Sequence, residues 1–302
     1  MGGESLSRAA RCEQTTMNLI ELVQRASLRL DYAGVAFGHG TTNSFDEAAW
    51  LVLWKLGLPL DALDEFAQRP VTPAQVVAAD ALVQERIATR RPAAYLTGEA
   101  WLQGVPFFVD ERCIVPRSLI AEPLCEGTLD AWLSEHTHRV LDLCTGNGSL
   151  AILAALAWPD VHVHACDISA DALEVAQRNV LRHGLQDRIT LAQGDGLAAA
   201  PGRYDLILCN PPYVNHESMN LLFDEFRAEP ALALDGGVDG MRFIRPLLRD
   251  VSRYLSGHGV LVLEIGHERA HFEAAFPQFN PVWLSTSEGD DEVLLLTADV
   301  FA

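Results

Sequence analysis

The stretch that decides the fold is a short apolar run followed by an unusual tetrapeptide: Tyr204-Asp205-Leu206-Ile207-Leu208-Cys209-Asn210-Pro211-Pro212-Tyr213. The first six residues are apolar enough for a buried strand. The strand must end at the prolines, because proline donates no ladder hydrogen bond and restricts the residue before it. We therefore predict a rigid, extended segment at the carboxyl end of a strand. In open α/β sheets, ligands bind at this edge of the sheet. Taken alone, an Asn-Pro segment is equally consistent with an ordinary turn.

Strands and helices alternate from residue 139 onward, a pattern typical of a parallel sheet with crossover helices. Helices are predicted to begin near Ser149 and between Ser169 and Asp171. We predict five parallel strands and a final antiparallel pair, at 139–143, 161–167, 189–193, 204–210 and 259–265, then 282–285 and 292–297.

The N-terminal part of the chain has a different, helical pattern. Apolar residues recur every three or four positions from Met17, and Ser44 is a candidate cap for a second helix. Thr72-Pro73-Ala74-Gln75 predicts a helix start with a capping box. Two short apolar stretches within 94–118, flanked by Gly and Pro, predict a β-hairpin. We thus expect a helical domain over 1–93, with 1–15 loosely ordered, a linking hairpin over 94–118 and an α/β domain over 119–302.

Composition narrows the classes of function. The 302 residues carry a formal charge of −19, which disfavours a duplex-DNA binder and suits a small-molecule substrate or a basic protein partner. We expect no transmembrane span and no secretory signal, because no long apolar run or basic leader is present. Six cysteines without C-x-x-C spacing indicate reduced thiols in a cytoplasmic protein.

A group of candidate cofactor-binding residues begins after the first predicted strand of the α/β domain. Gly146 and Gly148 let the backbone approach a ligand, and the loop leads into a helix N-terminus with unpaired N–H groups. Asp167 ends the next strand, where a carboxylate can accept from ribose hydroxyls. Asp195 and Asn210 follow two further strands, so four strand ends deliver polar groups to one edge. The candidate cofactor-binding residues are Asp142, Cys144, Thr145, Gly146, Asn147, Gly148, Asp167, Asp195 and Asn210.

This loop also fits Gly-x-Gly-x-x-Ala, so a nicotinamide or flavin dinucleotide enzyme is an alternative. Asp142 argues against it, because its charge would repel a pyrophosphate. His267-Glu268-Arg269-Ala270-His271 matches a zinc-binding pattern, but it directly follows a strand and no third ligand is evident. We predict no metal site.

These residues together resemble a class I S-adenosylmethionine-dependent methyltransferase, and from about residue 17 the chain is similar to the protein-(glutamine-N5) methyltransferases. Asn210–Tyr213 is similar to the motif of enzymes that methylate amide or exocyclic amino nitrogens. Val115–Glu122 departs from the release-factor branch, as does Cys144-Thr145-Gly146. Both departures are similar to the branch that methylates large ribosomal subunit protein 3.

The resemblance implies a Rossmann-like, mostly parallel seven-stranded sheet, a substrate-recognising N-terminal domain and S-adenosyl-L-methionine as cofactor. Asp142 would meet the cofactor's amino group, and Asn210, Pro211, Pro212 and Tyr213 would be catalytic. The implied acceptor is a glutamine of the free, basic ribosomal protein, with no role for duplex DNA or a membrane. Alternatives are release-factor glutamine methylation, adenine-N6 methylation of DNA and a non-catalytic ribosomal-protein chaperone.

Overall fold

A computed structural model describes residues 17–301, which form two compact units. The smaller unit takes the described residues up to Val35 together with Asn43–Ala88. The larger unit takes Ala36–Thr42 together with everything described from Thr89 onward. The prediction for residues 1–15 lies outside the described residues, and the domain boundaries at 93 and 118 stay predictions.

The smaller unit is helical, as the apolar periodicity predicts. Asn18 begins the first helix with a capping box to Glu21, and Thr72 and Gln75 form the predicted capping box of the fourth. A buried ion pair joins Glu47 to Arg86, with Nε 2.8 Å from the carboxylate. The helices are α1 (Leu19–Tyr32), α2 (Ser44–Leu56), α3 (Leu63–Phe66) and α4 (Pro73–Thr89).

The predicted cap of α2 is wrong by one residue. Asn43 is the N-cap, and its Oδ1 accepts from the backbone N–H of Asp46 at 2.9 Å. Ser44 is already helical, and its hydroxyl lies 2.9 Å from that of Ser27 inside the unit. Asparagine and serine are both favourable N-cap residues, so the sequence alone did not show which of the two neighbours caps α2.

The larger unit opens with a short helix and the predicted hairpin. They are α5 (Ala93–Thr97), β1 (Glu99–Leu102) and β2 (Val105–Phe108). The hairpin is shorter than the predicted 94–118 segment. Val115 does not continue it, because its N–H donates to Glu229 Oε1 at 2.9 Å instead of to a strand.

A seven-stranded sheet forms the centre of the larger unit, as predicted. Its order is β10-β11-β9-β6-β3-β4-β5, and all strands run the same way except β11. The strands are β3 (Arg139–Leu143), β4 (His162–Asp167), β5 (Ile189–Gln193), β6 (Tyr204–Cys209), β9 (Leu255–Glu264), β10 (Val282–Thr286) and β11 (Gly289–Thr297).

Two apolar layers cover the faces of this sheet. Side chains alternate between them, so Val140 packs in one layer and its neighbour Leu141 in the other. The helices of the unit are α6 (Ala121–Cys125), α7 (Ser149–Ala157), α8 (Ala170–Arg182), α9 (His216–Leu221), α10 (Asp224–Arg227), α11 (Ile244–Asp250) and α12 (Arg269–Ala275). Short 3-10 turns occupy Thr128–Trp132, Gly196–Ala199, Ala231–Ala233, Val251–Arg253 and Ala298–Phe301. Between residues 17 and 301, no helix combines the length and apolarity needed to cross a bilayer.

A second, two-stranded sheet was not predicted. It pairs β7 (Val214–Asn215) in parallel with β8 (Asp235–Gly237). Strands of two or three residues are too short to show a periodicity. This sheet brings the Gly236–Gly240 loop against the backbone of Tyr213.

Candidate active site

The carboxyl ends of four parallel strands are in register. Leu143 pairs with Cys166 on one side and with Cys209 on the other, and Asp167 pairs with Gln193. The residues that follow these pairs therefore reach the same edge of the sheet.

The loop after β3 is held by the neighbouring strand. Thr145 N–H donates to the Cys166 carbonyl at 3.0 Å, and Gly146 N–H donates to Asp167 Oδ2 at 2.9 Å. Cys144 has a φ of 59°, a left-handed conformation that non-glycine residues rarely adopt. A side chain at Gly146 would meet no atom within 4 Å, so the space above this glycine is open.

Gly148 packs closely against α8. A Cβ at this position would lie 3.2 Å from the Cβ of Ala176 on α8, and φ is 82°. Asn147, also predicted to bind cofactor, is buried, and its backbone carbonyl accepts from Asn179 at 2.9 Å. Its side-chain nitrogen has no hydrogen-bond partner within residues 17–301.

Asp142 lies beneath the loop and is fully buried. Its Oδ2 accepts from Thr145 Oγ1 at 2.5 Å and from Ala151 N–H at 3.0 Å. Its Oδ1 has no hydrogen-bond partner among the described residues. Burial raises the pKa of Asp142 to about 7, against the opposing effect of these two hydrogen bonds. A nearby cation would favour its charged form.

A cavity of about 540 Å³ lies above this edge of the sheet. Six predicted residues line it: Cys144, Gly146, Asp167, Asp195, Asn210 and Pro212. Six others do not: Asp142, Thr145, Asn147, Gly148, Pro211 and Tyr213.

The two ends of the cavity differ in chemistry. Asp167, the last residue of β4, and Asp195, which follows β5 and is exposed, form the acidic end. Burial raises the pKa of Asp167, while N–H donors from Ser169 and Gly146 lower it. Asn210 follows β6, and its carboxamide makes no hydrogen bond to any residue of the described chain. A free amide at the wall is suited to binding a ligand.

Tyr213 is held behind this wall. Its hydroxyl donates to Glu264 Oε1 at 3.0 Å. Burial and the Glu264 charge raise the pKa of Tyr213, so the residue stays a neutral phenol. Glu264 is buried and also accepts from Ser118 Oγ at 2.6 Å.

Sequence reasoning missed most of the residues that line the cavity. Arg112, Cys113 and Ile114 come from the segment after the hairpin. Six more lie around the carboxyl ends of β4 and β5: Cys166, Ile168, Ser169, Ala172, Gly194 and Gly196. The rest lie between the tetrapeptide and the first turn of α11: Pro230, Leu232, Ala233, Asp235, Arg242, Phe243 and Pro246. The position of Asp235 depends on the β7–β8 pair, which was not predicted.

An ion pair anchors Val115–Glu122, the segment that resembles the ribosomal-protein branch. Arg117 donates from both terminal nitrogens to the Glu229 carboxylate, at 2.6 and 2.7 Å. Burial acts to raise the pKa of Glu229, but the charges and hydrogen bonds of Arg117 and His39 hold it at about 2. The pair therefore stays ionised and fixes 115–117 against the loop before Pro230.

The two histidines of His267–His271 contact different carboxylates. His267 Nδ1 lies 2.8 Å from Glu292, and His271 Nδ1 lies 2.5 Å from Glu268. Over the part of the chain that the structure describes, no group of three or more His, Cys, Asp or Glu side chains is arranged to hold a metal ion.

Comparison with known proteins identifies close relatives. Residues 127–237 match the family model of the Methyltransferase small domain. The chain is 55% identical to the ribosomal protein uL3 glutamine methyltransferase of Bordetella pertussis over 95% of this chain and 97% of that protein. It is 50% identical to the protein of the same name from Burkholderia pseudomallei, over 92% and 94% of the two chains.

Among solved structures, the chain is similar to the hMettl16 catalytic domain in complex with the MAT2A 3′UTR hairpin 6. The TM-score is 0.50 at 12% identity, covering 76% of this chain and 84% of that one. At this identity the likeness shows a shared methyltransferase fold.

Proposed function

Since this chain belongs to the ribosomal protein uL3 glutamine methyltransferase family, we propose that it methylates the side-chain amide nitrogen of a glutamine in uL3. The methyl donor of the chain is S-adenosyl-L-methionine. The observation that carries the proposal is the free Asn210 carboxamide in the wall of the cavity that Asp167 and Asp195 also line.

The cavity fits the cofactor at its acidic end. Asp167 and Asp195 supply acceptors for the ribose hydroxyls and the adenine amino group, and the open space over Gly146 leaves room for the ligand. Asp142 lies beneath the cavity wall, and its unpartnered Oδ1 provides negative charge that would favour the ammonium group above it. When bound, the cofactor supplies an electrophilic methyl group on a sulfonium.

The chain's own residues then orient the acceptor. A glutamine amide nitrogen is a poor nucleophile, because its lone pair is conjugated with the carbonyl, and it carries two N–H donors. The Asn210 side-chain oxygen and the Pro211 carbonyl accept these donors, which turns the nitrogen toward the methyl group and stabilises its developing positive charge. Tyr213 packs beside the amide plane. Transfer would break the sulfonium–methyl bond and leave a neutral thioether. The methylated amide nitrogen is then cationic, and this cation is acidic enough to lose its proton to water without a strong base.

Replacing Asp167 by alanine should raise the dissociation constant of S-adenosyl-L-methionine by about tenfold or more, because a charge-assisted hydrogen bond worth roughly 1.5–3 kcal/mol is lost. The Gly146 N–H also loses its acceptor. Calorimetric titration measures the change, with Asp187→Ala, an exposed loop carboxylate, as the matched control. Equal affinity of a folded Asp167→Ala variant and the wild type would refute the role of Asp167.

We propose the unassembled ribosomal protein as the acceptor, met in the cytoplasm before it joins the large subunit. The enzyme's charge of −19 attracts a basic protein and repels rRNA. Val115–Glu122, which the Arg117–Glu229 pair anchors, resembles the branch that methylates the ribosomal protein. This resemblance favours uL3 over a release factor as the acceptor. We assign substrate recognition to the helical N-terminal part.

Association with uL3 should weaken as salt rises, since the Debye length falls to about 8 Å near physiological ionic strength. Measuring kcat/KM from low to high ionic strength tests this expectation. The same titration with a short, uncharged glutamine peptide from uL3 is the control, and it should show little salt dependence. A salt-independent rate with the whole protein would show that charge does not guide the encounter.

The identity of the acceptor is tested by measuring methyl transfer from labelled cofactor to four acceptors side by side. They are free uL3, intact large ribosomal subunits, a release factor and an adenine-containing duplex. We expect transfer to free uL3 to be fastest. Faster transfer to the release factor or the duplex would overturn the choice of acceptor, and cofactor binding without transfer to any of them would favour the chaperone alternative.

A further inference from the structure

Glu264 is a buried carboxylate at the end of β9, only 3% exposed. Three donors from different parts of the chain converge on it. Tyr213 Oη donates to Oε1 at 3.0 Å, while Ser118 Oγ at 2.6 Å and Leu119 N–H at 3.0 Å donate to Oε2. Burial raises the pKa of Glu264, and these donors act in the opposite direction. The carboxylate is therefore satisfied only while all three partners stay in place.

The ring and backbone of Tyr213 are enclosed by glycines. A Cβ at Gly266, two residues after Glu264, would lie 2.5 Å from Cε2 of the ring. A Cβ at Gly240 would lie 2.4 Å from the Tyr213 carbonyl oxygen, and one at Gly236 2.6 Å from the carbonyl carbon. Glu264–Gly266, at and just after the end of β9, thus hold both the ring, through Gly266, and the hydroxyl, through Glu264.

The other two donors to Glu264 belong to Val115–Glu122. Ser118 and Leu119 follow Arg117 directly and lie within Val115–Glu122, the segment that resembles the ribosomal-protein branch. The Glu264 carboxylate therefore joins Tyr213 to Val115–Glu122.

We propose that Glu264 is a positioning residue for the methyl transfer: it fixes the Tyr213 ring that packs on the acceptor amide, and it ties Ser118–Leu119 to that ring. This inference rests on the proposed function, because Tyr213 is assigned there to the acceptor amide. The residue acts through geometry and exchanges no proton with the substrate.

A geometric role predicts rescue by glutamine. The Glu264→Gln side chain can still accept from Ser118 and Leu119 through its oxygen, and its NH₂ can donate to the Tyr213 oxygen. We expect its kcat to stay within about fivefold of the wild type. Glu264→Ala leaves the three donors unpaired and should lose between about tenfold and 10²-fold in kcat, the scale of a misplaced group. The dissociation constant of the cofactor should change less than about twofold in both variants.

The double variant Tyr213→Phe/Glu264→Gln shows whether Glu264 acts through the tyrosine hydroxyl. The expected kcat equals that of Tyr213→Phe alone, whereas a further loss on adding Glu264→Gln would overturn the proposal. Tyr204→Phe is the matched control. It removes another buried phenol hydroxyl, which bonds the Pro201 carbonyl at the opposite end of β6, and should leave kcat unchanged.

A measurement on the enzyme alone, without uL3, separates this inference from the proposed function. The chain has five tyrosines, so 3-fluorotyrosine labelling gives five ¹⁹F resonances, and Tyr213→Phe assigns one. That resonance should shift and broaden in Glu264→Ala and remain near its wild-type position in Glu264→Gln. An unchanged Tyr213 resonance in folded Glu264→Ala would refute the positioning role. If the ring responds but wild-type enzyme transfers no methyl to uL3, the proposed function fails and the positioning of Tyr213 stands.

Discussion

Replacing Asn210 by alanine is expected to lower kcat for methyl transfer by about 10²-fold or more, the loss measured when one positioned polar group is removed from an active site. The carboxamide is free to meet the acceptor, because it makes no hydrogen bond within residues 17–301. Cofactor affinity should fall far less, since the acidic end of the cavity is unchanged. Single-turnover rates with saturating S-adenosyl-L-methionine measure the effect.

The matched control for this substitution is Asn220→Ala. Asn220 is exposed on α9, and its side chain donates only to the His216 carbonyl. The control should turn over at the wild-type rate. A near-wild-type rate for Asn210→Ala itself would mean that another group orients the acceptor amide.

Replacing Gly240 by alanine is the second large-effect change, with an expected loss of about 10²-fold in kcat. The new Cβ would lie 2.4 Å from the Tyr213 carbonyl oxygen and 3.0 Å from Cγ of Glu268, and φ is 78°. Backbone must move to relieve this overlap, and a displacement near 1 Å at a reacting group costs about 10²-fold. Steady-state kinetics and thermal unfolding are measured together.

Gly184→Ala controls for backbone strain alone. Its φ of 67° is similar, but its Cβ would meet nothing within 4 Å. Both variants should lose comparable stability from the left-handed conformation, and only Gly240→Ala should lose turnover. Equal kcat values would show that Tyr213 tolerates the displacement.

The central sheet was predictable because its signals are local. The parallel strands contain short apolar runs, and 139–143 and 189–193 were placed to the residue. Strand 259–265 was predicted too short, since β9 begins at Leu255 and crosses the exposed Gly257–His258 region, which has little apolar character.

The candidate site was predictable only where residues follow strand ends directly. Asp167, Asp195 and Asn210 line the cavity because parallel strands deliver their carboxyl ends to one edge. Glu264 ends a strand in the same way, but it was not predicted, since its three donors are 51 to 146 residues away in sequence. Long-range hydrogen bonds of this kind leave no pattern in a single sequence.

The most direct test of the account is tandem mass spectrometry of free uL3 after incubation with the enzyme and S-adenosyl-L-methionine. We predict a single methyl group on the side-chain nitrogen of one glutamine, absent with Asn210→Ala and present at the wild-type level with Asn220→Ala. A methyl group on lysine, arginine or the α-amino group, or one that persists with Asn210→Ala, would contradict it.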